Sequence, residues 1–321
     1  MFSISDDDLA SAQSVVARHV APTPAYRWPL VEQLTGTETW VKHENHTPTG
    51  AFKVRGGLTF AARQVASGDR RGLISASRGN HSQSLAYAGA VSGLPVTIVV
   101  PEGNSPDKNA ATEAFGAQVV VRGNDFQAAL EHSQNLAEAE NLVAVPPFHP
   151  WLAQGVATYA AELHSVVAGI DVIYVPVGMG SGICGNIAVR DLLGLDTEIV
   201  GVVADQAPAY ALSFDAGHPV ATEGADTFID GVACRIPDPS AVDTIVAGAA
   251  RVVRVGELQA AEAMALHYRA THNLAEPAGA LALAAAIIER DRNRGRRVGL
   301  IQTGGNADFS VLQAAFAGRW P

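Results

Sequence analysis

The sequence predicts an α/β protein whose strands pair in parallel. The first observation is a regular alternation, in which short apolar segments such as 96–100 and 171–177 are separated by longer segments of helical character. Strands that alternate with helices form parallel βαβ units. The second observation is that three polar or glycine-rich loops, at 75–83, 178–185 and 302–306, each follow a predicted strand directly. Open parallel sheets bind ligands at the carboxyl ends of their strands, so these loops are candidate ligand sites.

The individual elements follow from local patterns. The first helix is amphipathic and opens with acidic residues, and later elements are separated by Gly, Pro, Ser, Asn and Asp. The predicted strands cover 37–43, 72–76, 96–100, 119–121, 142–145, 171–177, 198–203 and 297–302. The predicted helices cover 5–19, 54–67, 80–91, 105–115, 125–139, 154–167 and 186–193, with two more between 257 and 290. The proline-rich segment 145–150 favours an extended path, and we expect it to cross between two domains.

Composition excludes several functional classes. The chain of 321 residues is 48% hydrophobic and 17% charged, with a net charge of −10. An acidic chain of this kind is a poor partner for nucleic acid or an anionic membrane. Its N-terminus is acidic and does not resemble a signal peptide, and its apolar runs fall short of the roughly 20 residues of a membrane helix. Two widely spaced cysteines, Cys184 and Cys234, support neither a disulfide framework nor a zinc site, so we expect a cytoplasmic protein.

One lysine lies in an unusual setting, in the segment 47–57 with the sequence Thr-Pro-Thr-Gly-Ala-Phe-Lys-Val-Arg-Gly-Gly. The turn and the paired glycines let the backbone approach a ligand closely. Apolar surroundings disfavour the charged form of Lys53 and leave an amine that can bond to a carbonyl cofactor such as pyridoxal phosphate. The alternative is a lysine at the start of a helix with its ammonium in water.

The loop that begins at Gly178 is a candidate phosphate site. It runs from a buried strand into a helix and contains Gly178, Met179, Gly180, Ser181 and Gly182. Backbone amides and the positive end of a helix bind anions in such a position. The spacing matches neither the dinucleotide-binding fingerprint nor a P-loop. The alternative is a plain tight turn.

The loop around Ser77 is a second candidate site. Its amides and the Ser77 hydroxyl could hold a carboxylate, and Asn80 could donate a hydrogen bond to a phenolate oxygen. The alternative, compatible with the first, is that Ser77 or Asn80 caps the following helix. His81 lies beside this loop and is expected to be a hydrogen-bonding residue at the helix end.

Together these segments resemble the fold type II enzymes that depend on pyridoxal phosphate (PLP). The closest resemblance is to the threonine/serine dehydratases (ammonia-lyases), a branch related to the serine racemases. The motifs occur in family order over nearly the whole chain. The resemblance implies a tryptophan synthase β-like architecture of two doubly wound parallel-sheet domains with the cofactor in the cleft between them. The large PLP-binding domain is expected to be 1–65 with 147–321, and the small domain 66–146.

The resemblance also implies roles for individual residues. Lys53 matches the lysine that forms the Schiff base with PLP, and Phe52 is expected to fix the cofactor. Asn80 matches the contact to the cofactor ring oxygen, and Gly178 to Gly182 match the phosphate cradle. Glu276, in Glu-Pro-Ala-Gly-Ala, lies in a motif near the cofactor ring. The substrate carboxylate is expected on the loop formed by Ser77, Arg78, Gly79 and His81.

The activity that the resemblance implies is β-elimination from a β-hydroxy amino acid, with L-threonine or L-serine as the default substrate. Thr303 matches the residue at the pyridine nitrogen. A neutral hydroxyl there makes the ring a weaker electron sink, which favours elimination over transamination. The products are a 2-oxo acid and ammonia. A homodimer is the family expectation. Because the motifs end near residue 305, we expect no amino-acid-sensing domain after them and a catabolic role.

Three departures from the family pattern keep alternatives open. Ala51 replaces a serine, which removes a hydroxyl near the substrate. Arg78 replaces the serine that acts from the opposite face in racemases; arginine stays protonated, so racemisation is disfavoured. Arg78 either receives a second carboxylate, as in 3-hydroxyaspartate, or points outward or pairs with a neighbouring acid. Phenylserine, a bulkier β-hydroxy amino acid, is also kept open as a substrate. Asp205 alone stands where racemases bind a divalent cation, so we expect no metal site. The alternative to an enzyme is a catalytically inert PLP-binding or regulatory protein.

Overall fold

The computed structural model describes residues 1–319. This part of the chain contains two sheets, one of six strands and one of four. The strands are β1 (Ala25–Arg27), β2 (Thr39–His43), β3 (Leu73–Ala76), β4 (Val96–Val100), β5 (Gln118–Val121), β6 (Val143–Ala144), β7 (Val172–Pro176), β8 (Glu198–Ala204), β9 (Arg251–Val255) and β10 (Val298–Gln302).

Thirteen α-helices connect and cover these strands. They are α1 (Asp6–Val16), α2 (Pro29–Thr35), α3 (Lys53–Ala66), α4 (Asn80–Ser92), α5 (Pro106–Ala114), α6 (Phe126–Ala139), α7 (Pro150–Val166), α8 (Ser181–Leu192), α9 (Ala209–Ala216), α10 (Pro239–Gly248), α11 (Glu257–Thr271), α12 (Pro277–Ile288) and α13 (Phe309–Phe316). Two short 3-10 turns, Glu44–His46 and Asp230–Val232, complete the described elements.

The strand order brings distant loops together. The six-stranded sheet has the order β1-β2-β10-β7-β8-β9, and the four-stranded sheet has the order β5-β4-β3-β6. All neighbours pair in parallel except β1, which runs antiparallel to β2 at the edge. Because β10 lies between β2 and β7, the loops that leave these three strands meet at one edge of the sheet.

Burial on both faces explains why the strands appear in the sequence as continuous apolar segments. Strands β7 and β10 are buried along their whole length, as expected for parallel strands covered on both faces. Helix α12 is buried at nearly every position because it packs between the sheet and α11. Helix α3 packs against both α4 and α7 and so links the two sheets. No helix within residues 1–319 is both long enough and apolar enough to cross a membrane.

The α/β fold with parallel sheets is confirmed, and the differences are local. Helix α7 begins at Pro150, four residues before the predicted start, because proline is well suited to the first helical turn. Helix α8 begins at Ser181 and not at 186; its glycines, which disfavour helices in isolation, are all buried there. Five elements, β1, β9, α2, α9 and α10, were not predicted, since their segments are short or lack a clear period.

Candidate active site

The segment that carries Lys53 is fixed to the end of β10. Ala51 forms an isolated antiparallel bridge with Gly304, and the Phe52 amide donates to the Thr303 carbonyl at 3.0 Å. A Cβ atom on Gly304 would lie 2.9 Å from the Ala51 Cβ, so the two segments meet closely. Lys53 then begins α3. The loop after the last strand of the chain thus holds the backbone from which Lys53 projects.

The Lys53 amine lies against the start of α8. Its Nζ donates to the Ser181 Oγ at 3.3 Å and sits 5.1 Å from the centre of the Phe52 ring. Burial lowers the pKa of Lys53 to about 8, and the charge of Glu276 opposes this shift. A buried lysine without a hydrogen-bonded carboxylate loses its charge readily. The side chain is half-buried and its amine bonds Ser181, which argues against the alternative, a lysine with its ammonium in water.

The glycine-rich loop between β7 and α8 approaches other chain segments closely at the positions where glycine has no side chain. Gly180 has a φ of +96°, a left-handed conformation that favours glycine, and it precedes the first residue of α8. A Cβ on Gly178 would lie 2.4 Å from the Gly231 carbonyl oxygen. Met179 is half-buried, and its carbonyl accepts a hydrogen bond from the Tyr210 hydroxyl at 3.0 Å. The free amides at the start of α8 face Lys53, an arrangement suited to a phosphate.

The Phe52 ring forms a wall beside this loop. It is buried and meets the Tyr159 ring edge to face, with centroids 6.0 Å apart. A Cβ on Gly182 would lie 3.4 Å from the Tyr159 hydroxyl and 3.8 Å from the Phe52 ring. Phe52, Lys53 and the glycine loop are therefore brought together, as the sequence predicted.

Asn80 and Glu276 meet across the cleft between the sheets. The Asn80 amide nitrogen donates to both carboxylate oxygens of Glu276, at 2.8 and 3.0 Å, and its oxygen accepts from Asn306 at 2.8 Å. Burial, and then repulsion from Asp230, raises the pKa of Glu276 to about 7. Asn80 is the first residue of α4 but does not cap it: the N-cap is Gly79, so the expected cap at Ser77 or Asn80 is wrong. The Asn80 side chain instead forms its hydrogen bonds across the cleft, to Glu276.

Thr303 presents an unsatisfied hydroxyl. Its side chain is buried, and its Oγ1 has no hydrogen-bond partner within residues 1–319. In contrast, both polar atoms of the Gln302 side chain, one residue earlier, are hydrogen-bonded. The amide oxygen lies 2.6 Å from the His43 ring nitrogen, and the amide nitrogen donates to the Leu274 carbonyl at 2.8 Å. Buried polar atoms are normally paired, so the Thr303 hydroxyl is available to a ligand group that can hydrogen-bond, such as a pyridine nitrogen.

The loop predicted to hold the substrate borders an open cavity. Ser77 is half-buried, and its hydroxyl accepts from the Gly79 amide at 3.4 Å. Arg78 is exposed, and its guanidinium makes no hydrogen bond or ion pair with residues 1–319. The side chain lines a cavity of about 300 Å³ at the mouth of the cleft. Arg78 therefore points outward from the loop and still borders the cavity.

His81 lies deeper, on the Lys53 side of the loop. It is buried, and together with Lys53 and Ser181 it borders a narrow void. Burial and the nearby charge of Lys53 lower the pKa of His81 to about 3, so its ring is neutral at physiological pH. The sequence placed His81 at the helix end, where it is found.

Sequence reasoning missed a second set of contacts across the cleft. Lys108, on α5, forms an ion pair with Asp230, and the Ser105 hydroxyl donates to the Asp308 carboxylate at 2.6 Å. The aliphatic chain of Lys108 covers Gly79, where an added Cβ would lie 3.3 Å from its Cδ. No local signal in the sequence marks Lys108 and Asp230 as partners. Within residues 1–319, no three His, Cys, Asp or Glu side chains cluster as metal ligands would.

Comparisons with known proteins match this geometry over nearly the whole chain. A family model described as pyridoxal-phosphate dependent enzyme matches residues 16–304. The L-threonine ammonia-lyase of Thermotoga maritima is 30% identical over 311 residues, which are 96% of this chain and 77% of that protein. The L-threo-3-hydroxyaspartate ammonia-lyase of a Pseudomonas species is 29% identical over 92% of this chain and 93% of its own length.

A solved structure agrees in fold. The processed form of threonine deaminase isoform 2 from Solanum lycopersicum has a TM-score of 0.90 and 27% sequence identity, covering 99% of this chain and 95% of that one. The resemblance to fold type II enzymes, first drawn from the Lys53, glycine-loop and Glu276 motifs, is confirmed. The chain belongs to the family of pyridoxal-phosphate dependent enzymes, with the fold type II architecture.

Proposed function

We propose that this protein is a PLP-dependent ammonia-lyase, which eliminates water from a β-hydroxy amino acid; hydrolysis of the resulting imine by water then releases a 2-oxo acid and ammonia. L-threonine and L-serine are the default substrates. The observation that carries this proposal is the Lys53 amine, which belongs to a half-buried side chain, has a lowered pKa and lies 3.3 Å from Ser181 at the start of α8. Relatives named for L-threonine and for L-threo-3-hydroxyaspartate support the reaction class.

The residues at the site fit PLP. The unpartnered hydroxyl of Thr303 suits a pyridine nitrogen, and the amides that follow Gly180 suit a phosphate. Lys53 would bond to the cofactor carbonyl. Asn80 would hold the ring oxygen, and Phe52 would flank the ring. Glu276 would stand beside the ring through its bond to Asn80.

The cofactor supplies a carbonyl for the amino group and an electron-withdrawing ring that stabilises negative charge on the α-carbon. The chain supplies the base. A lysine with a pKa near 8 is partly neutral at pH 7 to 8, so the freed Lys53 amine can take the α-proton of the substrate. The Thr303 hydroxyl carries no charge, so it cannot hold a proton on the ring as a carboxylate would, and this favours elimination.

The substrate carboxylate is proposed to bind the loop of Ser77, Arg78, Gly79 and His81 through the amides at the start of α4. The side chain of the substrate then extends toward the cavity of about 300 Å³. Ala51 is buried, and its methyl group offers no hydroxyl to the substrate. Arginine at position 78 remains protonated, which disfavours racemisation because the second face lacks a base.

Assays of the PLP-loaded protein test the proposal. We expect 2-oxo acid and ammonia in equal amounts from L-threonine or L-serine, and none from the Lys53→Ala variant. Borohydride reduction of the PLP-loaded protein should attach the cofactor to the Lys53 peptide. Lys42, which is buried and bonds Glu162 at 2.5 Å, is an internal control and should stay unlabelled. Release of the opposite enantiomer without oxo acid would point to a racemase instead.

Arg78 favours a second candidate substrate, 3-hydroxyaspartate. Its guanidinium is unpaired within residues 1–319 and borders the cavity that receives the substrate side chain. Charged hydrogen bonds contribute about 1.5–3 kcal/mol, so Arg78→Ala should raise KM for 3-hydroxyaspartate by about 10- to 100-fold and leave KM for L-threonine unchanged. Arg78→Lys keeps the charge as a control. Equal effects on both substrates would remove this candidate.

The organisation of the molecule is part of the proposal. We propose a small domain of residues 66–146, because β3, β4, β5 and β6 all belong to the four-stranded sheet. Residues 1–65 and 147–321 would form the large domain. We also propose a cytoplasmic homodimer, supported by two buried free cysteines and by the exposed rings of Tyr268 and Phe316, which lie side by side with their planes tilted by 35°. Light scattering of the purified protein tests the dimer.

A further inference from the structure

Asn306 lies where three segments of the active site meet. Its Nδ2 is 2.8 Å from the Thr49 carbonyl oxygen and 2.8 Å from the Oδ1 of Asn80. Thr49 belongs to the segment that leads to Lys53, Asn80 opens α4, and Asn306 itself follows β10. The Asn306 side chain is half-buried and packs against Gly50, where an added Cβ would lie 2.5 Å from its Oδ1. Asn306 therefore has little freedom to turn.

The Thr49 carbonyl determines which way the Asn306 amide faces. A carbonyl oxygen only accepts hydrogen bonds, so the atom of Asn306 that approaches it must be the nitrogen. An amide nitrogen carries two hydrogens, and the second one is donated to Asn80. Asn80 must then present its oxygen to Asn306. A backbone group thus sets the orientation of both side-chain amides.

This orientation leaves one hydrogen of Asn80 for a ligand. The Asn80 nitrogen donates to the two carboxylate oxygens of Glu276, at 2.8 and 3.0 Å. The two oxygens of one carboxylate lie close together, whereas the two N–H bonds of an amide diverge, so one hydrogen serves both oxygens. The second hydrogen has no acceptor within residues 1–319. With the amide turned over, Asn80 would offer an oxygen in place of this donor.

We propose that Asn306 is a positioning residue, which holds the Asn80 amide in the orientation that presents a hydrogen-bond donor to the cofactor ring oxygen. This inference rests on the proposed function, which assigns the ring oxygen to Asn80. Glu276 alone does not fix the orientation: an ionised carboxylate selects the Asn80 nitrogen, but a protonated carboxyl can donate to the Asn80 oxygen. Asn306 maintains the orientation in either state of Glu276.

Two variants at position 306 release the Asn80 amide to different extents. Asn306→Asp keeps the size of the side chain, but an ionised carboxylate only accepts, so Asn80 should turn its nitrogen toward it. Asn306→Ala removes the side chain and leaves Glu276 to hold Asn80. Both variants lose the bond to the Thr49 carbonyl. We expect Asn306→Asp to weaken PLP binding to the cofactor-free full-length protein by about 10- to 100-fold, and Asn306→Ala by about fivefold.

The same variants in an Asn80→Ala background separate orientation from other effects. Loss of the bond to Thr49, or the negative charge in Asn306→Asp, would weaken PLP binding whether or not Asn80 is present. Without Asn80 there is no amide to orient, so both double variants should bind PLP within about twofold of Asn80→Ala alone. Absorbance titration with PLP measures the four affinities, and circular dichroism confirms that each variant is folded.

The absorption spectrum of the PLP-loaded protein gives a second readout, taken without substrate. A donor stabilises the deprotonated form of the ring oxygen, so its loss raises the pKa of that oxygen. We expect Asn306→Asp and Asn80→Ala each to raise this pKa by about one unit or more. Asn306→Asp should raise it no further in the Asn80→Ala background.

Equal losses of PLP affinity in Asn306→Asp and Asn306→Ala, or losses that persist in the Asn80→Ala background, would overturn the inference. Wild-type PLP affinity in Asn80→Ala would overturn it as well, because the orientation of Asn80 would then not matter. If Asn306→Asp does not fold, the fivefold loss in Asn306→Ala must still disappear in the absence of Asn80. Absence of oxo acid from every β-hydroxy amino acid would defeat the proposed reaction alone, because both readouts are taken without substrate.

Discussion

Asn80 and Glu276 form a buried hydrogen-bonded pair that joins the two sheets across the cleft. Asn80 opens the helix that follows β3 of the four-stranded sheet, whereas Glu276 immediately precedes α12 on the six-stranded sheet. The amide nitrogen lies 2.8 and 3.0 Å from the two carboxylate oxygens. Burial raises the pKa of Glu276 to about 7 even though Asn80 favours the charged form. The pair therefore changes its charge near neutral pH.

We expect Glu276→Gln to change how stability depends on pH. A carboxyl whose pKa rises from 4.5 to about 7 on folding binds more protons in the folded state. Its contribution is present below pH 4.5 and is lost as pH rises through 7. The unfolding free energy of the wild type should therefore fall relative to the variant by about 3 kcal/mol between these limits. Urea unfolding of the cofactor-free protein at several pH values measures the difference.

The control for this prediction is Glu131→Gln, which alters an exposed glutamate on α6. Its unfolding free energy should follow the wild type at every pH. Parallel pH profiles for wild type and Glu276→Gln would contradict the raised pKa of Glu276.

Lys108 and Asp230 form a second link across the cleft, nearer to solvent. Their side chains are 12% and 38% exposed, so the ion pair contributes about 1 kcal/mol or less. We expect Lys108→Met and Asp230→Asn each to raise KM for the amino acid by about fivefold, because the cleft closes less tightly over Gly79. The double variant should be no worse than either single variant, since both remove the same bond. Additive effects in the kinetic cycle would show that the two residues act separately.

The parts of the site that the sequence predicted are those marked by local patterns. Lys53, Asn80 and the glycine loop each stand directly after a turn or a strand, and parallel sheets gather strand ends at one edge. Residue types then suggest the ligand: a desolvated amine for a carbonyl and free amides for a phosphate. The fold class follows from the alternation of short apolar runs with helices, which needs no long-range information.

The parts that escaped prediction depend on contacts between distant segments. Lys108 and Asp230 are 122 residues apart, and neither lies in a pattern that names the other. The order of the strands places Thr303 beside Phe52, and local periodicity carries no information on strand order. Asn80 reads equally well as a helix cap, and only its bond to Glu276 shows that the side chain is used elsewhere.

Gly180→Ala should damage both folding and cofactor binding. At a φ of +96° an alanine is strained, and its Cβ would lie 2.7 Å from the Cβ of Ala241. We expect a loss of about 2–5 kcal/mol in unfolding free energy from strain and overpacking together, and weaker PLP binding because the loop must move. Gly194→Ala is the matched control, since it has a φ of +62° and nothing within 4 Å of its Cβ. It should lose only about 1–2 kcal/mol and bind PLP normally. Equal PLP affinities for the two variants would count against a phosphate site at this loop.

Arg55 stabilises the start of α3 from the face opposite Lys53, through a buried ionic cluster. Its guanidinium is fully buried and bonds Glu44 at 2.7 Å and Glu162 at 2.6 Å. Removing the guanidinium leaves the buried Glu44 and the half-buried Glu162 to share one cation, Lys42, so Arg55→Met should lower the unfolding free energy by about 3–5 kcal/mol. Arg27→Met is the control, because its ion pair with Glu32, also at 2.7 Å, is exposed and should contribute less than about 1 kcal/mol. Urea unfolding at pH 7 compares them. Similar losses in both variants would mean that the buried cluster contributes no more than a surface ion pair, and that packing alone holds Lys53 at the head of its helix.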